Sequence, residues 1–363
     1  MEHITRLLIT ATRAALVAVL VAGVGVVLAA EPASAHGLGG VEPTNYESRL
    51  RRVSPSIDGI DVEVVDLGTK LALTNRTARD VIVLGYDDEP YLRVGPRGVF
   101  ENTRSPSTYI NRSTAVTTDA PRTADSSAPP RWKPVSSGHT ATWHDHRAHF
   151  MGEEDPPAVR RAPDHRLVFD RWTVTIRYGD RTITARGEIA WVPPPSPWSF
   201  VIAAIVLALA VFAASRTRWW TWVMAGSLVV IVVADALHIV GLWDASTAST
   251  GTKLAESAYS LGGLVLGFLA LAWMARRGAN AAVPLVLVAT IVLVIAGGLA
   301  DVTTLGHSQI LTAFPETVAR VLVTLTLGLG VGLAAAAGAR LHSSAPMRPR
   351  PQTREREAAT VTS

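Results

Sequence analysis

Apolar residues crowd into two stretches of the 363-residue chain, 14–30 and 198–339, and the sequence between them is polar. The first stretch is an unbroken apolar run preceded by Arg6 and Arg13 and followed by Ala33-Ser34-Ala35. A positive start, an apolar centre and a small-x-small end predict a signal peptide over 1–35, cleaved after Ala35 to leave His36 first. An uncleaved anchor is the alternative. The second stretch divides at polar breaks into five apolar segments, 198–214, 219–243, 257–274, 281–300 and 317–339, each near the roughly 20 residues that span a bilayer as helix. Pro193, Pro194, Pro195 and Pro197 make 193–197 a stiff spacer ahead of them.

Between these stretches the period changes. Short runs rich in β-branched and aromatic residues occupy 62–67, 70–75, 81–86, 172–178 and 182–191, separated by turn signals such as Gly68-Thr69 and Gly179-Asp180. Trp172, Val174, Ile176 and Tyr178 alternate with polar residues, as in a half-buried strand. Residues 102–134, rich in Ser, Thr, Pro and Arg, read as a long loop. The expected fold is therefore mixed: an extracytoplasmic all-β, β-sandwich-like domain over 36–192, then an all-α five-helix transmembrane block over 198–339. Asp235 and Glu256 around one helix pair, and Asp301 and Glu316 around the next, give a weak echo of a duplicated hairpin.

Charge placement orients this scheme. Arg216 and Arg218 follow the first apolar segment, Arg276 and Arg277 the third, and the basic tail 340–363 the fifth. Basic flanks stay cytoplasmic, so the 36–192 domain is expected outside the plasma membrane and the C-terminus inside. The tail reads as that flank, not as a nucleic-acid site. Only Lys70, Lys133 and Lys253 of the 34 basic residues are lysine, which suits a GC-rich bacterium such as an actinobacterium. The chain has no cysteine, so thiolate metal sites, thiol catalysis and disulfides are excluded.

The candidate chemistry is histidine and carboxylate. His144, His146 and His149 fall within six residues, with Met151 just beyond; on a strand, His144 and His146 would share a face. Two or three imidazoles so placed can hold a metal ion; the alternative is a surface strand whose histidines bond carboxylates such as Asp145. A free N-terminal His36 would add an α-amine and an imidazole, a pair suited to Cu(II). In the apolar block Asp235 and His238 lie three apart on one helix face, and Asp301 and Glu256 fall towards the same side of the membrane, with His307 and Glu316 nearby. Carboxylates in such segments usually face the bundle interior. No P-loop, GxGxxG or GxSxG motif is present, and no catalytic residue is assigned.

His36 as the first mature residue, a β-rich domain and an attached membrane block together resemble the layout of the CopC and CopD copper-handling proteins; an N-terminal His on a β-sandwich also resembles the lytic polysaccharide monooxygenases. The first resemblance implies copper as the ion; on that reading His36, His144, His146 and His149 are expected to capture it, and Asp235, His238, Asp301 and Glu256 to receive or sense it. The competing reading is a non-enzymatic envelope scaffold or assembly factor whose outer domain binds another protein.

Overall fold

The structure is a computed structural model that describes residues 38–112, 120–152 and 154–343. The expected signal peptide, His36 and the tail beyond residue 343 lie outside the described residues.

The N-terminal half is β-rich. Its strands are β1 (Tyr46–Ser54), β2 (Ile60–Val65), β3 (Lys70–Asn75), β4 (Val81–Leu84), β5 (Pro90–Gly95), β6 (Gly98–Asn102), β7 (Trp132–Ser136), β8 (Thr140–His144), β9 (Leu167–Tyr178) and β10 (Arg181–Trp191), with short helices α1 (Ser107–Ile110) and α2 (Pro157–Arg161). They form a seven-stranded sheet in the order β1-β10-β9-β4-β5-β6-β7 and a three-stranded sheet in the order β2-β3-β8. All pairings are antiparallel. Both sheets contribute to one buried cluster, Leu71 and Leu73 from the smaller and Val83, Val94, Ile176 and Ile183 from the larger. Trp172, Val174 and Ile176 are buried along β9, as their alternation predicts.

Strand β1 was not predicted, because Glu47, Arg49, Arg51 and Arg52 hide its period. Charges of this kind suit the sheet edge it occupies. The described parts of the expected loop 102–134 hold regular elements. They carry α1 and end in β7, and the Asn102 side chain ties the loop's two ends together.

The C-terminal half is helical: α3 (Trp198–Ala214), α4 (Trp220–Ala245), α5 (Thr250–Glu256), α6 (Ala258–Arg277), α7 (Ala279–Leu293) and α8 (Glu316–Ser343). Helix α7 runs on into a π-helical turn, Val294–Leu299, and then a 3-10 turn, Val302–Gly306. Four of these helices are long and apolar enough to cross a membrane: α4, α6, α7 with its π turn, and α8. The expected first span is an apolar helix of 17 residues, shorter than the other four. Its partner is α8, whose Gly328 and Gly332 lie against the backbone of Ala204 and Ala208, where a Cβ would not fit. Small residues four apart are a common means of close helix approach in lipid. Ile205, Leu209, Val233, Leu237, Phe268 and Leu269 point outward, an apolar exterior compatible with a multi-pass membrane protein.

The two halves meet at a polar seam. Thr44 and Gln309 exchange backbone hydrogen bonds of 3.0 and 2.8 Å, and Ser308 N donates to Asn45 Oδ1 at 2.9 Å. Asp66 accepts from Thr247 N at 2.9 Å and Thr247 Oγ1 at 2.5 Å. Leu38 and Val41 seal the seam with Leu311.

Candidate functional site

Two histidine-bearing clusters emerge. In the first, His144 closes β8, and the strand stops there instead of carrying on through His146. The reason is Asp145. Its buried carboxylate accepts from Trp143 Nε1 at 2.9 Å, from Arg147 Nε at 2.9 Å and from Arg147 Nη2 at 2.8 Å. Its carbonyl takes the Ala148 N–H at 2.9 Å. These bonds turn the chain and fold His146 and His149 back on His144. The ring centroids lie 4.9 Å apart for His144 and His146, 4.5 Å for His144 and His149, and 6.1 Å for His146 and His149. Asp145 is thus the anchor of the turn and not a surface partner of the imidazoles.

The His149 ring is held from behind: its Nδ1 lies 3.2 Å from the Asp145 carbonyl. A backbone acceptor on one ring nitrogen fixes the tautomer and leaves the other lone pair available. His144 Nε2 is buried with no hydrogen-bond partner among the described residues. Burial, with the neighbouring His149 and His146, lowers the His144 pKa to about 4. Burial also lowers that of His149. His144 is therefore neutral at pH 7, the form that can ligate a metal. Yet among the described residues no group of three or more His, Asp or Glu side chains is arranged to hold a metal ion. The imidazoles are gathered but do not converge on one point.

Lys70 pairs with His144 across β3 and β8, and its Nζ lies 2.7 Å from Asp66 Oδ2. Asp66 is the residue that grips Thr247, so this cluster sits one side chain from the seam. Gly39 and Gly40 line the same cleft of about 550 Å³ as Thr69, Lys70 and His144. His36, three residues ahead of Gly39, lies outside the described residues.

The second cluster is inside the helical half. Asp235 and His238 share a face of α4, as their spacing predicts. His238 Nε2 is 3.1 Å from Asp301 Oδ2, close enough for an ion pair although the ring nitrogen makes no well-aligned hydrogen bond. Asp235 is 1% exposed, and neither carboxylate oxygen has a hydrogen-bond partner among the described residues. The carboxylate lies against Gly297 of the π turn, where any Cβ would collide with it. Ten residues separate Asp235 from the end of α4, or about 15 Å of helix. A π turn beside a bare buried carboxylate is a frequent mark of a functional site.

The remaining candidates do not join this cluster. Glu256 Oε2 accepts from Gly39 N at 2.6 Å, at the seam. The His307 ring bonds the Thr303 carbonyl at 2.7 Å. Glu316 pairs with Arg320 at 3.1 Å, as expected from its position one turn away. Sequence reasoning missed that Arg320 is buried and also donates to the carbonyls of Thr304 (3.2 Å) and His307 (2.7 Å), which fixes the 3-10 turn beside Asp301. A lone Arg in an apolar segment was the available signal. Comparison with family models, curated proteins and solved structures finds nothing that matches the chain.

Proposed function

We propose that this protein is an exported envelope membrane protein that captures a transition-metal ion, copper foremost, on a β-sandwich-like outer domain carried by a five-helix membrane block. Basic flanks after α3, α6 and α8 support a cytoplasmic C-terminus and an outer β-rich half. The observation that carries the reading is the buried, partnerless Nε2 of His144, with the His146 and His149 rings packed against it. A buried polar atom without a partner calls for a ligand. The His146 and His149 ring centroids lie 4.9 and 4.5 Å from that of His144, so an ion bound at His144 Nε2 would have further imidazoles beside it. As cargo, the ion would be held by imidazole alone or with the mature N-terminus, since Gly39 and Gly40 line the same cleft as His144. Asp235, His238 and Asp301 are the polar groups inside the block that could receive or sense it.

The test is copper and zinc titration of the full-length protein in detergent micelles, read by calorimetry and by metal content after desalting. About one equivalent of copper should bind more tightly than micromolar at pH 7. His144→Ala should abolish that binding. His165→Ala should leave it intact, because the His165 ring is exposed and bonds Asp164, away from the other histidines. Wild-type protein that binds neither metal would overturn the proposal and favour an envelope scaffold.

A further inference from the structure

A second site lies on the β-rich half, in the segment expected to be a plain loop. Within 103–109 and 122–134, a cleft of about 830 Å³ is lined by Arg104, Arg122, Arg131, Lys133, Tyr109 and Trp132. Four cationic side chains face one carboxylate, Asp125. That carboxylate is occupied, accepting from Ser127 N at 2.9 Å and Ser127 Oγ at 2.6 Å. Lys133 is shared with Glu101 at 3.3 Å. Arg122 and Arg131 are exposed and make no ion pair among the described residues.

The backbones of Arg104 and Arg131 are set by the fold. Asn102, 1% exposed, donates from Nδ2 to the Pro90 carbonyl at 2.6 Å. Its Oδ1 accepts both Arg104 N at 3.0 Å and Arg131 N at 2.8 Å. One buried amide therefore holds the backbones of two arginines side by side, although they are far apart in sequence. Thr103 N donates to the Arg131 carbonyl at 2.9 Å, and Asp125 N to the Arg104 carbonyl at 2.7 Å. The Tyr109 hydroxyl closes the rim on the Thr103 carbonyl at 2.9 Å. A rigid backbone carrying exposed guanidinium groups lowers the ordering cost of binding.

Guanidinium matches the paired oxygens of phosphate and carboxylate, and adjacent guanidinium groups favour a ligand with more than one such group. From this we infer that the cleft binds a multivalent oxyanion ligand, one that presents phosphate or carboxylate groups in series. The same chemistry is offered by an anionic lipid headgroup and by a soluble polyanion of the envelope. The site is separate from the histidine cluster and does not depend on it.

Full-length protein would be reconstituted in phosphatidylcholine nanodiscs and titrated with inorganic tripolyphosphate at low and moderate salt. Submillimolar binding is expected. Arg122→Gln with Arg131→Gln should weaken it at least tenfold. Arg171→Gln with Arg186→Gln, which removes the same charge from the exposed faces of β9 and β10, should change it less than twofold. Lysine replacements at 122 and 131 should restore part of the affinity, which guards against misfolding as the cause. His144→Ala should leave it unchanged. Repeating the titration in discs containing phosphatidylglycerol separates the two sources. A large loss of tripolyphosphate affinity there points to lipid headgroups, and no loss points to a soluble polyanion. Absence of tripolyphosphate binding, or equal loss in the two double variants, overturns the inference.

Discussion

The β-rich half and the helical half treat their buried carboxylates in opposite ways. In the β-rich half Asp66 is met by Lys70 and Thr247, Glu89 by Ser105 and Ser107, Asp145 by Trp143 and Arg147, and Glu188 by Arg51 and Arg166. In the helical half Asp235 is met by no donor among the described residues. A buried charge with its partners in place is a structural device. One without partners costs stability, more so among apolar helices, and its presence argues for a use other than holding the fold. The contrast separates the polar groups that build the molecule from the one it keeps at a cost.

Asparagine replacements give the largest expected effect. Asp145→Asn leaves the Arg147 guanidinium without its charge partner and should cost about 3 kcal/mol. Asp235→Asn removes an unmatched carboxylate at nearly constant shape and should leave stability unchanged or raise it by about 1 kcal/mol. Thermal unfolding of both variants in the same detergent reads the two signs directly. A loss of similar size at Asp235 would erase the contrast and imply a donor for its carboxylate.

Smaller in size is the contact with Gly297. An added Cβ there meets the Asp235 carboxylate, so Gly297→Ala should destabilise by about 1–3 kcal/mol through overpacking. Adding Asp235→Ala frees that space and should recover most of the loss. Independent, additive losses in the double variant would mean that the two residues do not touch.

How far these features were legible in the sequence follows from the range of the forces involved. Four of the five apolar segments are helices of spanning length with boundaries close to those expected, because a long apolar run is a local signal. Strands β3, β4, β9 and β10 announce themselves by β-branched runs and alternation. Strands β1 and β5 to β8 do not: β1 is masked by charge, and β5 and β6 sit among Pro90, Gly95 and Gly98, which read as turn. The grouping of His144, His146 and His149 was visible in the spacing, but the means of grouping was not. Asp145 acts through Trp143 and Arg147, and nothing in the spacing singles out these two neighbours over the histidines as its partners. Asp235 and His238 were visible as a pair, whereas Gly297 was one glycine among many. Glu256 was grouped with the wrong partners because its hydrogen bond reaches 217 residues back to Gly39.

The smallest expected effect concerns Glu89, and it tests whether the partnered carboxylates of the β-rich half do support the fold. Glu89, in the acidic run Asp87-Asp88-Glu89, is buried. Burial alone would push its pKa up. Hydrogen bonds from Ser105 and Ser107, with backbone help including Asp87 N at 3.0 Å, overcome that and hold it below the ordinary value of 4.5. The unfolded chain therefore binds the proton more readily than the folded one. The stabilisation is fully present above about pH 4.5 and is lost as pH falls through the lower, folded value. Glu89→Gln keeps the size of the side chain but removes the titration and weakens the acceptor, so it should be less stable than wild type at pH 7, by about 1 kcal/mol. The gap in unfolding temperature between the two proteins should narrow from pH 6 to pH 3, because only the wild type loses stability from this group. Other carboxylates, Glu47 among them, titrate in both proteins and cancel in the difference. A gap that stays constant across this range would show that Ser105 and Ser107 give Glu89 no preference for its charged form.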